Sequence, residues 1–399
     1  MLASARSLAS TLSLVQRLLL WQLSLAGGGL AVWAARRRPP GAARLPVAVC
    51  VVALNQLWPL AFDGDTEVIT NITAFIVACI TNVKLLSWVM GRGSLAERAL
   101  TLPQFVAVYA LPITPADAPA APPPAPPPSG KRSPGTAGME GEEAEDSQAK
   151  GKPRPKPTAE ARSALTHFRH FVRKAAALAG VVHVFVRFSA GVPRIALLVL
   201  QGFSQYLGVS LGMDAMAAAV GALTGLAIAP AFNNPYASTS LGDFWNHRWN
   251  LTVSDALRSG VYEPIMEGRL VRRPGQAAPF SRARRLAAVF AVFVVSGLMH
   301  EALFWNFTGR FTPRLLWLKY FAGWGALVVA ENAGKHALRG AGLRVPTSLA
   351  RILTIAIVNL MVVQYWWPPV NEMGVPEKAA QHAVEAWRAL RGAAPALRK

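Results

Sequence analysis

With 399 residues, 52% of them hydrophobic and 16% charged, the chain has more apolar surface than one soluble core of its length can bury, which excludes an ordinary water-soluble domain and requires a bilayer as solvent. The formal charge of +20 lies in loops beside apolar runs and not in a compact basic domain bearing aromatic residues, which argues against nucleic acid as a partner. The two cysteines, Cys50 and Cys79, each sit inside an apolar run without CxxC spacing or a neighbouring His; no metal site and no disulfide is expected, and both are read as small buried side chains.

Apolar runs long enough to cross a bilayer occur at 18–34, 45–62 and 68–90, then at 192–212, 215–232, 286–305, 315–333 and 352–367. They predict an all-α, multi-pass transmembrane helical protein of about eight spans. The first run lies between Arg17 and the Arg36–Arg37–Arg38 cluster and is followed by further hydrophobic runs, which favours a span over a cleaved secretory signal. No acidic residue precedes Asp63, so an organelle transit peptide stays open as well.

The stretch 170–190 carries Arg173, Lys174, His183 and Arg187, too many charges for a span, and is expected to lie in the interface as an amphipathic helix. Between 115 and 157 the sequence turns to Pro, Ala and Gly, with an acidic patch at 140–146 and a basic one at 150–156. This reads as a disordered cytoplasmic insert to which no chemistry is assigned. The expected organisation is N-terminal spans at 1–112, the Pro/Ala-rich linker at 113–160, a catalytic membrane domain at 161–370 and a tail at 371–399. Basic residues in the loops 36–44, 92–174, 248–285 and 335–351 put those loops on one side, the cytoplasmic one, although Lys378, Arg388 and Arg391 in the tail run against that scheme.

Two segments carry polar residues that a span or a plain loop does not need. In 233–265, Ser240 followed by Asp243 resembles a capping box and predicts a helix through DFWNHRWN. On it Asp243, His247 and Asn250 would share one face and Trp245 and Trp249 another. These residues admit two readings, an interfacial anchor with an aromatic belt or a binding site. The second segment, 293–305, sets His300 and Glu301 in an apolar span, where a charge costs roughly 3 kcal/mol and normally faces a cavity or a partner. Ser296 lies one turn before His300 with Gly297 beside it, so the helix is narrow where the imidazole projects. Glu301 points about 100° away and is expected to be structural, pairing with an Arg or a backbone group of a neighbouring helix. A neutral imidazole suits general-base work on an alcohol, and an Asn amide can donate to a developing oxyanion without adding charge.

Four motifs, SLGDFWNHRWN at 240–250, SGLMHE at 296–301, WGALVVAEN at 324–332 and LTIAIVNLMVVQYWWPPV at 353–370, together resemble the plant-type wax synthase branch of the membrane-bound O-acyltransferase superfamily. The likeness covers the C-terminal half in detail and the N-terminal half only in its pattern of spans. It implies an enzyme that transfers a fatty acyl group from acyl-CoA, a co-substrate, to a long-chain alcohol, with no cofactor and no metal. By position it makes His300 the catalytic histidine and Asn250 the asparagine of the family's WN element. Asp243, Trp245, His247, Arg248, Trp249 and Ser296 are then expected around the substrates, with the endoplasmic reticulum membrane as the location. The long insert, and Asn246 with His247 inside the first motif, depart from the pattern, and His247 is a competing base. A sterol acceptor in place of a fatty alcohol, a multi-span transporter and a non-catalytic lipid-binding scaffold are the alternative readings. If Asn250 and His300 serve one reaction, both must face one protein-lined cavity, within about 10 Å of each other. Asn71, Asn250 and Asn306 each begin an N-x-T triplet, so a glycan would report sidedness.

Overall fold

The computed structural model describes residues 11–64, 66–116, 162–188, 191–273, 275, 281–343, 345–378 and 381. Apart from Pro115 and Ala116, the insert expected over 115–157 lies outside these residues, as does most of the tail. The elements described are helical, with two isolated backbone bridges besides. In the first group α1 (Leu14–Ala34) begins at a reciprocal cap between Ser13 and Gln16, and α4 (Leu102–Ala110) at another between Thr101 and Gln104. Between them lie α2 (Leu45–Leu57), flanked by the 3-10 turns Ala42–Arg44 and Trp58–Ala61, and α3 (Val68–Val89). Trp21, Leu25, Val51, Val77, Trp88 and Phe105 pack a shared core that also takes in Ala217 and Val220 from further along the chain.

Several polar groups inside this core have partners, as burial in a dry interior favours, whereas the Trp88 indole N–H has none among the described residues. The Lys84 ammonium donates to Val108 O at 2.6 Å, Leu111 O at 2.7 Å and Ile113 O at 3.1 Å, closing the carbonyl end of α4 with a positive charge. Asn71, buried, donates to Pro59 O and Phe62 O and accepts from Asn306 Nδ2 at 2.8 Å. Both of those N-x-T asparagines are thus engaged in packing and do not serve as reporters of sidedness. Cys50 is exposed and Cys79 half-exposed, contrary to the expectation that both are buried. The outer face of a membrane helix is itself apolar, so an apolar run does not separate inside from outside.

A long helix α5 (Ala164–Phe188) packs antiparallel along α6 (Arg194–Thr224). The expected spans at 192–212 and 215–232 are therefore not two helices, because α6 runs unbroken for 31 residues through the supposed boundary. Asp214, which marked that boundary, is buried between His167 and Lys174 of α5. His167 Nδ1 lies 3.0 Å from its Oδ1, and Lys174 binds both its Oδ2 and the Ser210 hydroxyl. A carboxylate met on both sides in this way is tolerated in mid-helix. Of the polar residues expected to make 170–190 amphipathic, Lys174 thus faces α6.

The remaining elements include two short helices, α7 (Leu241–His247) and α8 (Leu251–Leu257), the long α9 (Arg282–Thr308) and α10 (Leu316–Gly340), and α11 (Thr347–Met361). A π-helical turn, Val362–Trp366, joins α11 to α12 (Trp367–Glu372). Helices α9 and α10 touch closely at Gly297, where an added Cβ would stand 3.0 Å from Leu318 Cα, so only glycine allows that approach. Among the described residues five helical stretches are long and apolar enough to cross a membrane, covering α2, α3, α6, α9 and α11–α12 with their flanking turns. The expected spans at 18–34 and 315–333 form the helices α1 and α10 without meeting that measure. A multi-pass helical membrane protein stands; the count of about eight does not follow from these helices.

Candidate active site

A cavity of about 2040 Å³ runs between α3, α6, the α7–α8 segment, α9, α10 and α11. Asp243, Trp245, His247, Arg248, Trp249, Asn250, Ser296 and His300 all line it, and Glu301 does not. His300 and Asn250, from segments fifty residues apart in sequence, therefore face one internal space.

The imidazole of His300 is held from several directions. Its Nδ1 lies 2.6 Å from Ser296 O, and because a carbonyl oxygen only accepts, Nδ1 carries the proton and Nε2 the lone pair. Among the described residues Nε2 has no hydrogen-bond partner. The ring stacks on Phe321 with centroids 4.3 Å apart and meets Trp366 at 5.3 Å and Trp317 at 6.0 Å edge-on. Ser296 thus acts on the imidazole through its backbone carbonyl. The next residue, Glu301, is buried and accepts from Thr312 N at 2.9 Å, Thr312 Oγ1 at 2.6 Å and Leu318 N at 3.0 Å. It ties α9 to the start of α10, the helix that carries Trp317 and Phe321. The turn it holds contains Arg314 and Leu315, both at φ 55°, a left-handed conformation costly for side-chain-bearing residues and kept only where the surroundings impose it.

The expected single helix through DFWNHRWN is corrected by the structure. Ser240 does cap it, its hydroxyl accepting from Asp243 N at 3.0 Å, but α7 ends at His247 and Asn250 stands at φ 42°, ψ 59° as the cap residue of α8. Asn is among the few residues that adopt the left-handed region readily. Asp243, His247 and Asn250 therefore do not share a helix face. The break is stabilised by contacts from outside the segment: Asn233 N donates to Arg248 O at 2.9 Å and Leu251 N to Ala231 O at 2.7 Å. Arg248 turns back to Asp243 at 2.7 Å and to the carbonyls of Asn233 and Asn234, so these two charges pair with each other. The two tryptophans also part company. Trp245 packs on Phe293 and Trp324, whereas Trp249 stacks on Phe244 and meets Phe232 edge-on. The Asn250 side-chain oxygen is buried without a hydrogen-bond partner among the described residues.

Sequence reasoning missed three participants. Glu331 of α10 accepts from Leu241 N at 2.9 Å and Gly242 N at 3.0 Å, capping the positive end of α7. Its place in WGALVVAEN was visible, but its target ninety residues earlier was not. The aromatic enclosure of Trp317, Phe321 and Trp366 is drawn from two helices, and Gln205, a cavity residue of α6, binds Trp366; no local spacing announces either. Among the described residues no group of three His, Cys, Asp or Glu side chains is placed to hold a metal ion.

Comparison with known proteins adds to this geometry. The profile of the Membrane bound O-acyl transferase family matches residues 228–321, which span α7, α8, α9 and Glu301's clamp. The chain is 31% identical over 318 residues, 77% of its own length and 77% of the other's, to Acyl-CoA–sterol O-acyltransferase 1 of Arabidopsis thaliana. It is 30% identical over 343 residues to the Long-chain-alcohol O-fatty-acyltransferase of Simmondsia chinensis, covering 85% of this chain and 84% of that one. A Probable long-chain-alcohol O-fatty-acyltransferase 1 of Arabidopsis thaliana is 35% identical over 201 residues, 50% of this chain and 55% of its own.

Proposed function

This chain belongs to the membrane-bound O-acyltransferase family, in the branch that holds its plant wax-synthase relatives, and we propose that it moves a fatty acyl group from acyl-CoA to a long-chain alcohol, forming a wax ester in the endoplasmic reticulum membrane. The observation that carries the reading is His300, with Nδ1 tied to Ser296 O and Nε2 unpaired, lining the same cavity as Asn250. In this mechanism Nε2 takes the hydroxyl proton as the alcohol oxygen attacks the thioester carbonyl carbon. Asn250 meets the oxygen on which negative charge develops, its amide NH2 turned toward it. Collapse of the tetrahedral species breaks the C–S bond, and His300 returns the proton to the departing thiolate, so that ester and free CoA leave and the imidazole is again neutral. Asp243 and Arg248 hold the segment that presents Asn250, and the aromatic walls exclude water that would otherwise compete as nucleophile.

A sterol hydroxyl is the second acceptor, favoured by the likeness to a sterol acyltransferase at the same level of identity. Both acceptors put one hydroxyl on a large apolar body, and the cavity volume accommodates either. Microsomes from cells expressing the full chain, given labelled acyl-CoA with a panel of fatty alcohols and sterols, decide between them. Ester formation from neither class, with the protein present in the membrane, would sink the reading. Epitope-tagged chain fractionating away from endoplasmic reticulum markers would overturn the location.

A further inference from the structure

Trp366 forms one wall of the enclosure around His300 and is carried on a π-helical turn, a widened geometry that is uncommon and is found mainly at functional sites. The helix leading into it packs sparsely: of the residues of α11, Thr354 alone is buried. Stacking on Trp317, at 5.0 Å and 23°, fixes the plane of the indole, and the rings of Tyr320 and Phe321 pack on it at 6.0 and 6.5 Å. The polar edge of the ring is tied by the hydrogen bond from Trp366 Nε1 to Gln205 Oε1 at 2.9 Å, the directional contact among these. An indole N–H only donates, so the amide orientation is determined, with Oε1 on Trp366 and the NH2 turned away. Gln205 comes from α6, a helix that makes no ring contact with His300, and a second bond on the same seam, Gln201 to Asn371 at 3.5 Å, runs from α6 to α12. One hydrogen bond thus links a distant helix to the ring packed edge-on against the imidazole.

We propose that Gln205 is a positioning residue for His300, acting through Trp366: it holds the indole in the one direction that keeps the imidazole aligned, and so governs turnover without touching the reacting atoms. This rests on His300 being the base. Small misplacements of a catalytic group lower the rate far more than they alter substrate binding.

The test uses the full chain in microsomes, with turnover divided by the amount of immunodetected protein. Gln205→Leu is expected to lower kcat on the order of ten-fold with KM for acyl-CoA unchanged. Gln205→Glu, which keeps an acceptor, is expected to recover most of that loss. Trp366→Phe, which removes the donor, should cost a similar factor, and the Gln205→Leu/Trp366→Phe double variant no more than either alone, because the two act as one unit. An unchanged kcat in Gln205→Leu, a raised KM with kcat intact, or losses that multiply in the double variant would each overturn the proposal. Should Gln205→Leu fail to accumulate, Gln205→Asn, whose shorter amide falls short of the indole, replaces it; failure of both to fold makes the residue merely structural and also overturns it. Full turnover in His300→Ala would remove the base itself, whereas an inactive His300→Ala with no Gln205–Trp366 coupling removes this inference alone.

Discussion

Three aromatic walls and a hydrogen-bonded ring nitrogen hold His300, whereas the His247 side chain is 46% exposed and has one carboxylate, Asp243, at 3.6 Å. A base that must meet a hydroxyl at a fixed angle needs the first kind of restraint. His300→Ala is therefore expected to lower ester formation by about 10²-fold or more while the protein still inserts, and His247→Ala to leave most of it, both read as labelled ester formed in microsomes. The reverse ranking would move the role to His247. Asn250 requires a more careful substitution, because Ala in its left-handed conformation adds about 1 kcal/mol of backbone strain to any loss of chemistry. Asn250→Gly accepts that backbone without strain, so a fall of about 10²-fold in its turnover, with thermal stability unchanged, isolates the amide. Wild-type turnover in Asn250→Gly would show that the side chain is needed only for the turn.

Helices are held in register at this site by buried charges that reach across them, and those charges are where stability is most exposed to substitution. Glu301→Ala leaves Thr312 and two backbone N–H groups without their acceptor, a loss of roughly 3 kcal/mol that should appear as a lowered thermal midpoint in detergent; an unchanged midpoint would refute the clamp. At the other end of the bundle the Arg92 guanidinium, 0% exposed, reaches from beyond α3 to both Glu267 oxygens, at 2.7 and 2.8 Å. That bonding holds the Glu267 carboxyl below its ordinary 4.5. A carboxylate whose pKa is depressed in the folded state contributes stability that is fully present above its ordinary value and is lost as pH falls through the lowered one. Glu267→Gln is thus expected to lower the midpoint at neutral pH and to flatten its decline on acidification below 4.5; a decline parallel to wild type would exclude the pair as its source. Much of this helical architecture was legible in the sequence, since the apolar runs at 45–62, 68–90, 286–305 and 352–367 each became a helix, and the charge cost of His300 and Glu301 in an apolar run marked both correctly as partnered or cavity-facing. The continuity of α6 was not legible, because the hydrogen-bond partners of Asp214 lie 47 and 40 residues away. The break between His247 and Asn250 was hidden for the same reason, its hydrogen bonds coming from 231–234. Periodicity reports local faces, and these features were decided by contacts remote in sequence.

Across the molecule as a whole, the two ends of the insert meet at one place. Ala116 N donates to Ala227 O and Ala229 N to Thr114 O, both at 2.9 Å, and Arg162 N donates to Ile228 O at 3.3 Å. Pro115 and Arg162 therefore both pair with Ile228, one on each side of it, so their backbones are separated by about two strand spacings, or roughly 10 Å. A linker of about four residues spans that distance, each extended residue adding ~3.3 Å. The backbone pairing also anchors Arg162, Ser163 and Thr166, which line the cavity, independently of what lies between 116 and 162. Replacing 117–161 by a Gly/Ser linker of that length leaves every one of these bonds in place and changes loop-closure entropy by only about 2 kcal/mol, in the stabilising direction. The shortened chain is expected to accumulate in the membrane, to unfold at a midpoint no lower than the wild type and to keep most of its ester-forming turnover in microsomes. Loss of folding would mean that the pairing at Ile228 depends on the removed residues. Normal folding with turnover below about a tenth, a loss equivalent to 1.4 kcal/mol of barrier, would mean instead that the insert takes part in delivering a substrate to the cavity beside which it begins and ends.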